Sequence, residues 1–186
     1  MKEIYHSATI ENSNTKLKLQ IFEENDGTVL SEIYWDWVNL SNKLEKIGGR
    51  RINLPEAISE AVFCINFNAG RLVQCTGEKT NTSFDCFDIN KNNRIQVKGC
   101  SVSIDLTSFG PRSIWDELYF VHFFPNQIYD GCYNIYFIDN HLIYEHKVSK
   151  SETFLDQQRQ GRRPRFSIMK DIVEPNQIEP VIKSKL

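Results

Sequence analysis

The sequence predicts an α/β protein with a mixed central β-sheet flanked by helices. Two stretches with helical three-and-four spacing come first, and after Gly77 the apolar period changes to two. The full order of helix, helix, hairpin, strand, strand, helix suits a sheet covered by helices. The 186 residues fit one domain. The pattern divides them into an N-terminal helical region (1–50), a core (51–170) and a C-terminal tail (171–186).

The first helix is read over residues 29–47 from Val29, Ile33, Trp37, Leu40, Leu44 and Ile47, and Gly48-Gly49 ends it. Pro55 and Glu56 open the second, since proline suits the first helical turn and a carboxylate complements the dipole there. Its apolar positions Ile58, Val62, Ile65 and Phe67 run to Asn68-Ala69-Gly70. A β-hairpin follows, with residues 84–89 and 94–98 flanking the polar turn Asn90-Lys91-Asn92-Asn93. Residues 118–124 and 133–138 read as buried strands. A short polar helix (151–160), a basic turn (161–165) and a short helix near 168–173 complete the pattern.

Composition, 40% hydrophobic and 25% charged, is that of an ordinary soluble protein. No apolar run approaches the ~18–20 residues that span a membrane. The start has no basic-then-apolar signal, so a cytoplasmic protein is expected. Five cysteines without a C-x-x-C pair point to reduced thiols and no zinc. The net charge of −2 hides an uneven distribution: residues 147–170 hold seven basic side chains against Glu152 and Asp156. A basic stripe of this kind is compatible with a phosphate backbone.

The chemistry concentrates in the hairpin. If Lys91-Asn92 are the two central turn residues, Asp85 stands opposite Lys98 and Phe87 opposite Gln96. Asp85, Gln96 and Lys98 then share one face while Asp88 points to the other, and a bulge or longer turn would favour Asp88. A carboxylate, an amide oxygen and a lysine on one surface suit phosphodiester hydrolysis. Asp85 would hold Mg²⁺ with the Val97 carbonyl and waters, and Lys98 would serve the attacking water. Glu60, or Glu56 one turn earlier, supplies a second acid. The same Asp and Lys also fit a plain surface ion pair across two strands.

A helix-borne acid, then Asp85, then ten residues, then Gln96-Val97-Lys98 resembles the PD-(D/E)xK fold of Type II restriction endonucleases. The stretches NLPEAISE (53–60), SFD (83–85), QVK (96–98), DLTSFGP (105–111) and RRPRF (162–166) resemble a small bacterial group within it. The chain as a whole is similar to the small catalytic subunit of heterodimeric Type IIS enzymes. The resemblance implies a restriction-endonuclease-like core and Mg²⁺-dependent cutting of double-stranded DNA. It also implies a larger subunit that recognises the site and nicks the other strand. The catalytic set it implies is Glu60, Asp85, Gln96 and Lys98, with Asp85, Val97 and Glu60 at the metal. Gln96 departs from the pattern, which has an acid there, so the number of metals and the weight on Glu60 change. A stand-alone homodimeric enzyme and a non-catalytic DNA-binding protein with the same sheet are the alternatives.

Arg162, Arg163 and Arg165, on a proline-stiffened turn, are the expected phosphate contacts, with Gln158 beside them for a base edge. The same residues also fit a solvated helix face. His122, among Phe and Val, reads as a core histidine. Asp116 and Glu117 read as strand-end charges. The first helix, with Trp35 and Trp37, is the expected contact for a partner subunit.

Overall fold

The computed structural model describes residues 1–23, 25–76 and 83–186; Gly77, where the sequence period changes, lies outside them. Chain order is β1 (Lys2–Ile10), β2 (Ser13–Ile21), α1 (Asp26–Lys46), α2 (Glu56–Phe67), β3 (Gly70–Thr76), β4 (Cys86–Asp88) and β5 (Asn93–Cys100). Then come β6 (Thr107–Ser108), β7 (Glu117–His122), β8 (Cys132–Ile138), α3 (Asn140–Tyr144), α4 (Phe154–Arg159) and β9 (Arg165–Phe166). A π-type turn at Met169–Val173 precedes β10 (Ile182–Lys185). Eight strands form one sheet in the order β1-β2-β3-β4-β5-β7-β8-β10, and β6 pairs with β9 apart from it. β5 and β7 run parallel and the other neighbours antiparallel, so the expected mixed sheet is present.

The N-terminal region is helical only from Asp26; residues 2–21 form a hairpin instead. Glu11 and Asn12, with φ of 51° and 64°, make a two-residue turn whose twist matches the strands. Thr15, Leu17 and Leu19 alternate inward along β2, the period-two signature of a half-buried strand. At the other end the tail is not loose: β10 pairs along β8 from Ile182↔Ile135 to Lys185↔Cys132.

α1 buries Leu30, Tyr34, Trp37, Val38 and Ser41. Most of the stripe picked out by sequence spacing faces outward, with Val29, Ile33, Leu40 and Ile47 exposed. The helix is apolar on two sides, so spacing alone chose a face displaced by about one residue. α2 lies against β5, where Gly99 permits the approach: a Cβ there would stand 2.6 Å from Ser59 Oγ and 2.7 Å from its Cβ. Asn68, in the left-handed region at φ 51°, closes α2 and turns the chain into β3.

β7 shows why its sequence reads as a continuous apolar run. Tyr119 and Val121 pack with α1 and α2, while Leu118 and Phe120 pack on the opposite side with Phe109, Phe154 and Phe166. All five cysteines are free. Among the described residues, no helix is long and apolar enough to cross a membrane.

Candidate active site

The hairpin's register differs from the expected one. Cys86 pairs with Ile95, Phe87 with Arg94 and Asp88 with Asn93, leaving four residues in the turn rather than two. Asp88 is the cause: its Oδ1 accepts from the backbone N–H groups of Asn90 (2.9 Å) and Lys91 (3.1 Å), an Asx-type closure that widens the loop. The register shift brings Asp85 beside Gln96 instead of Lys98. Because it moves each pairing by two residues, the choice of face survives. Asp88, spent on the turn, does not line the cleft that holds Asp85.

Asp85 sits just before β4, where its backbone N–H donates to Ile95 O at 2.9 Å. Its Oδ2 accepts from the Val97 N–H at 2.9 Å and from the Gln96 side-chain amide. An open cleft of about 400 Å³ is lined by Asp85, Lys98, Glu56, Glu60 and Val97, and also by residues 100–102 and 105–108. α2 thus supplies two carboxylates, β5 a lysine, and the approach to β4 the third carboxylate. Gln96 does not line the cleft; it is 2% exposed and steadies Asp85 from behind.

Burial pushes the Asp85 carboxyl up, to about 7, and the nearby Glu60 and Glu56 carboxylates push the same way. Lys98 and the Val97 N–H pull against them. An acid under this load gains from any cation that enters the cleft. Glu60 is already partnered, by Arg71 Nε of β3 at 2.5 Å. The Glu56 side chain has no hydrogen bond or ion pair among the described residues. No three His, Cys, Asp or Glu side chains close up into a ready ligand set among the described residues. A hard cation held here therefore needs backbone carbonyl, water or substrate oxygens beside Asp85, the mixed oxygen shell that Mg²⁺ accepts. The residues fit that ion, with one firm carboxylate rather than three.

A family model for the Bsp6I restriction endonuclease matches residues 22–175. The chain belongs to that family. It is 37% identical over 156 residues to the Type II restriction enzyme Bsp6I of Bacillus sp. (strain RFL6), covering 82% of this chain and 84% of the relative. No solved structure matches. Membership makes the protein a Type II restriction endonuclease.

In this family member the arginines of the basic turn do not line the cleft themselves, and the small sheet connects one of them to its edge. Arg165 pairs in register with Ser108, and Ser108 lines the cleft. Arg163 and Arg165 are exposed. Arg162 is held by Glu152 at 2.5 Å. The Gln158 amide N–H groups turn inward, to Gly110 O at 3.1 Å and Ser113 O at 3.5 Å, so they brace a loop. Asp116 pairs with Arg94, and Glu117 with Lys91. His122 is buried with Nε2 3.1 Å from Val102 O.

Two residues were not singled out by sequence reasoning. Arg71 carries no motif, and its place opposite Glu60 follows only from the β3–α2 packing. Asp105 is buried and accepts four hydrogen bonds, from Thr107 Oγ1 (2.5 Å), Ser167 Oγ (2.7 Å), Ile168 N (2.9 Å) and Met169 N (3.0 Å). It ties the rim of the cleft to a segment more than 60 residues away. The DLTSFGP stretch was visible, but its role was not.

Proposed function

We propose that this cleft hydrolyses DNA phosphodiester bonds with Mg²⁺, using a PD-(D/E)xK constellation in which Gln96 replaces the second hairpin acid. The observation that carries the reading is the meeting of Asp85, Lys98, Glu56 and Glu60 in one cleft, with the Asp85 carboxyl poised at about 7. Asp85, the Val97 carbonyl and Glu60 or Glu56 hold the ion. Bound there, it supplies a more acidic water and offsets negative charge at the reacting phosphate. Gln96 and the Val97 N–H fix one oxygen of Asp85 and so aim the other. Lys98 orients the attacking water and offsets charge on the five-coordinate phosphorus. Arg71 pairs with Glu60 beside Asp85 and limits how far it can swing. Arg163 and Arg165 take phosphates flanking the cut, while Arg162, neutralised by Glu152, adds less.

The finer reading is a small subunit that cuts one strand under the direction of a larger, site-recognising chain in the bacterial cytoplasm. Two features support it. The glutamine expected to read a base is turned inward, and α1 carries an uncovered apolar face of Val29, Ile33, Leu40 and Ile47. A stand-alone enzyme is the second reading, favoured by the relative of similar length that is itself named a Type II restriction enzyme. Incubating the purified chain with DNA and Mg²⁺, with and without a recognition subunit, decides between them. Weak binding and no site-specific cutting alone is the expected result; robust double-strand cutting by this chain alone refutes the subunit reading.

A further inference from the structure

The segment 102–106, which contributes to the lining of the cleft, presents three aliphatic side chains to solvent. Val102, Ile104 and Leu106 are 46%, 66% and 64% exposed, and Val102 and Leu106 line the same cleft as Asp85 and Lys98. Scattered surface leucines need no explanation, but three branched residues in five positions at the mouth of a reaction cleft form a patch.

The segment is also pinned. Val102 O accepts from the Cys100 thiol at 3.0 Å and lies 3.1 Å from His122 Nε2; Ser101 O accepts from the Tyr129 hydroxyl at 3.1 Å. Asp105, between the two most exposed aliphatics, is the buried carboxylate with four donors. Nothing in that anchoring serves the fold by burying Ile104 or Leu106; it holds them outward. Positive charge lies close by: Lys98 lines the cleft together with Val102 and Leu106, and the exposed Arg165 pairs with Ser108, two positions beyond Leu106.

We propose that residues 102–106 are an apolar wedge that enters a groove of the duplex beside the scissile phosphate and opens the neighbouring base step. This rests on the reading of the cleft as a DNA-cutting site. A partner protein seated on the same patch would close the cleft to its own substrate, whereas a duplex reaching Asp85 must pass over it. Rigid branched aliphatics flanked by cations are what partial unstacking of a base step requires. The wedge sets how the strand is presented to Asp85 and Lys98 without touching the reacting atoms.

The test uses an Asp85→Asn background and a duplex that the wild-type enzyme cuts, with 2-aminopurine flanking the cut. The recognition subunit is included if cutting requires it. The intact loop should raise the probe's fluorescence on binding. Ile104→Ala/Leu106→Ala should remove that rise and weaken binding ~10–100-fold, with the dependence of affinity on salt unchanged because no phosphate contact is lost. Thermal melting checks that the variant is folded. A double variant that binds and fluoresces like its parent overturns the wedge. So does an Ile104→Asp/Leu106→Asp variant that binds DNA normally but loses association with a protein partner in sedimentation. Failure of the cleft reading shows separately, on a gel: Asp85→Asn that still cuts removes both.

Discussion

Replacing Asp85 by Asn should stabilise the metal-free protein while disabling it. The carboxyl lies at about 7 in the fold, against an ordinary value of 3.8. A raised acid is one whose ionised form the fold disfavours. The penalty is therefore full above about pH 7, fades as pH falls from there toward 3.8, and is gone below. Three pKa units correspond to roughly 4 kcal/mol as a ceiling. Because Asp85 opens onto a solvent-filled cleft, screening brings the expected gain nearer ~2 kcal/mol at pH 8. That is ~4–8 °C in Tm for a chain of this size. At pH 5 the gain should fall below about half, since the native carboxyl is already protonated. Asn keeps an acceptor for the Val97 N–H, and Gln96 can rotate its amide to present oxygen. Thermal melts of both proteins in EDTA at pH 8 and pH 5 measure this. A variant less stable than wild type at pH 8, or a gain that does not shrink at pH 5, refutes the electrostatic account of the site.

Cation binding should show the linked effect: apparent Mg²⁺ affinity, followed by the Tm rise it causes, should fall up to ~10-fold per pH unit below about 7 as protons compete for Asp85. Pre-steady-state cleavage should drop ~10²–10⁴-fold in Lys98→Ala with binding in a filter assay little changed. Gly99→Ala forces a methyl against Ser59 and should lever α2 and its glutamates away from β5, costing ~1–3 kcal/mol and cleavage rate together. Ser59→Gly in the same chain should recover part of both. Arg165→Ala should lower the slope of log affinity against log salt by about one, whereas Gln158→Ala should leave that slope alone and cost ~1 kcal/mol of stability through the 110–113 turn.

The parts of the fold legible in the sequence are those fixed by local periodicity: α1, α2, the β4–β5 hairpin, β7 and β8. The β1–β2 hairpin was equally periodic along Thr15, Leu17 and Leu19, but a preceding stretch with exposed Tyr5 and Glu3 on the outer face masked it. β10 is short and exposed, and only its pairing with β8 makes it a strand. Within the site, strand parity placed Asp85 with Gln96 and Lys98 even though the turn was two residues longer than expected. What parity does not contain is where the third dimension spends each group. Glu60 is paired by Arg71 across the β3–α2 packing, Gln158 faces Gly110 in a loop 48 residues away, and Asp105 gathers donors from beyond β9. These contacts are long-range and one-to-one, with no period to announce them.

The proposed mechanism requires a hard cation on Asp85 when the enzyme cuts. Crystals grown with Mn²⁺, which takes the same oxygen ligands as Mg²⁺, answer it by anomalous diffraction. A peak is expected at about 2.0–2.3 Å from the Asp85 carboxylate, shared with the Val97 carbonyl and absent from Asp85→Asn crystals. An anomalous peak elsewhere, with Asp85 bare in an enzyme that cleaves DNA under the same Mn²⁺ conditions, would contradict it.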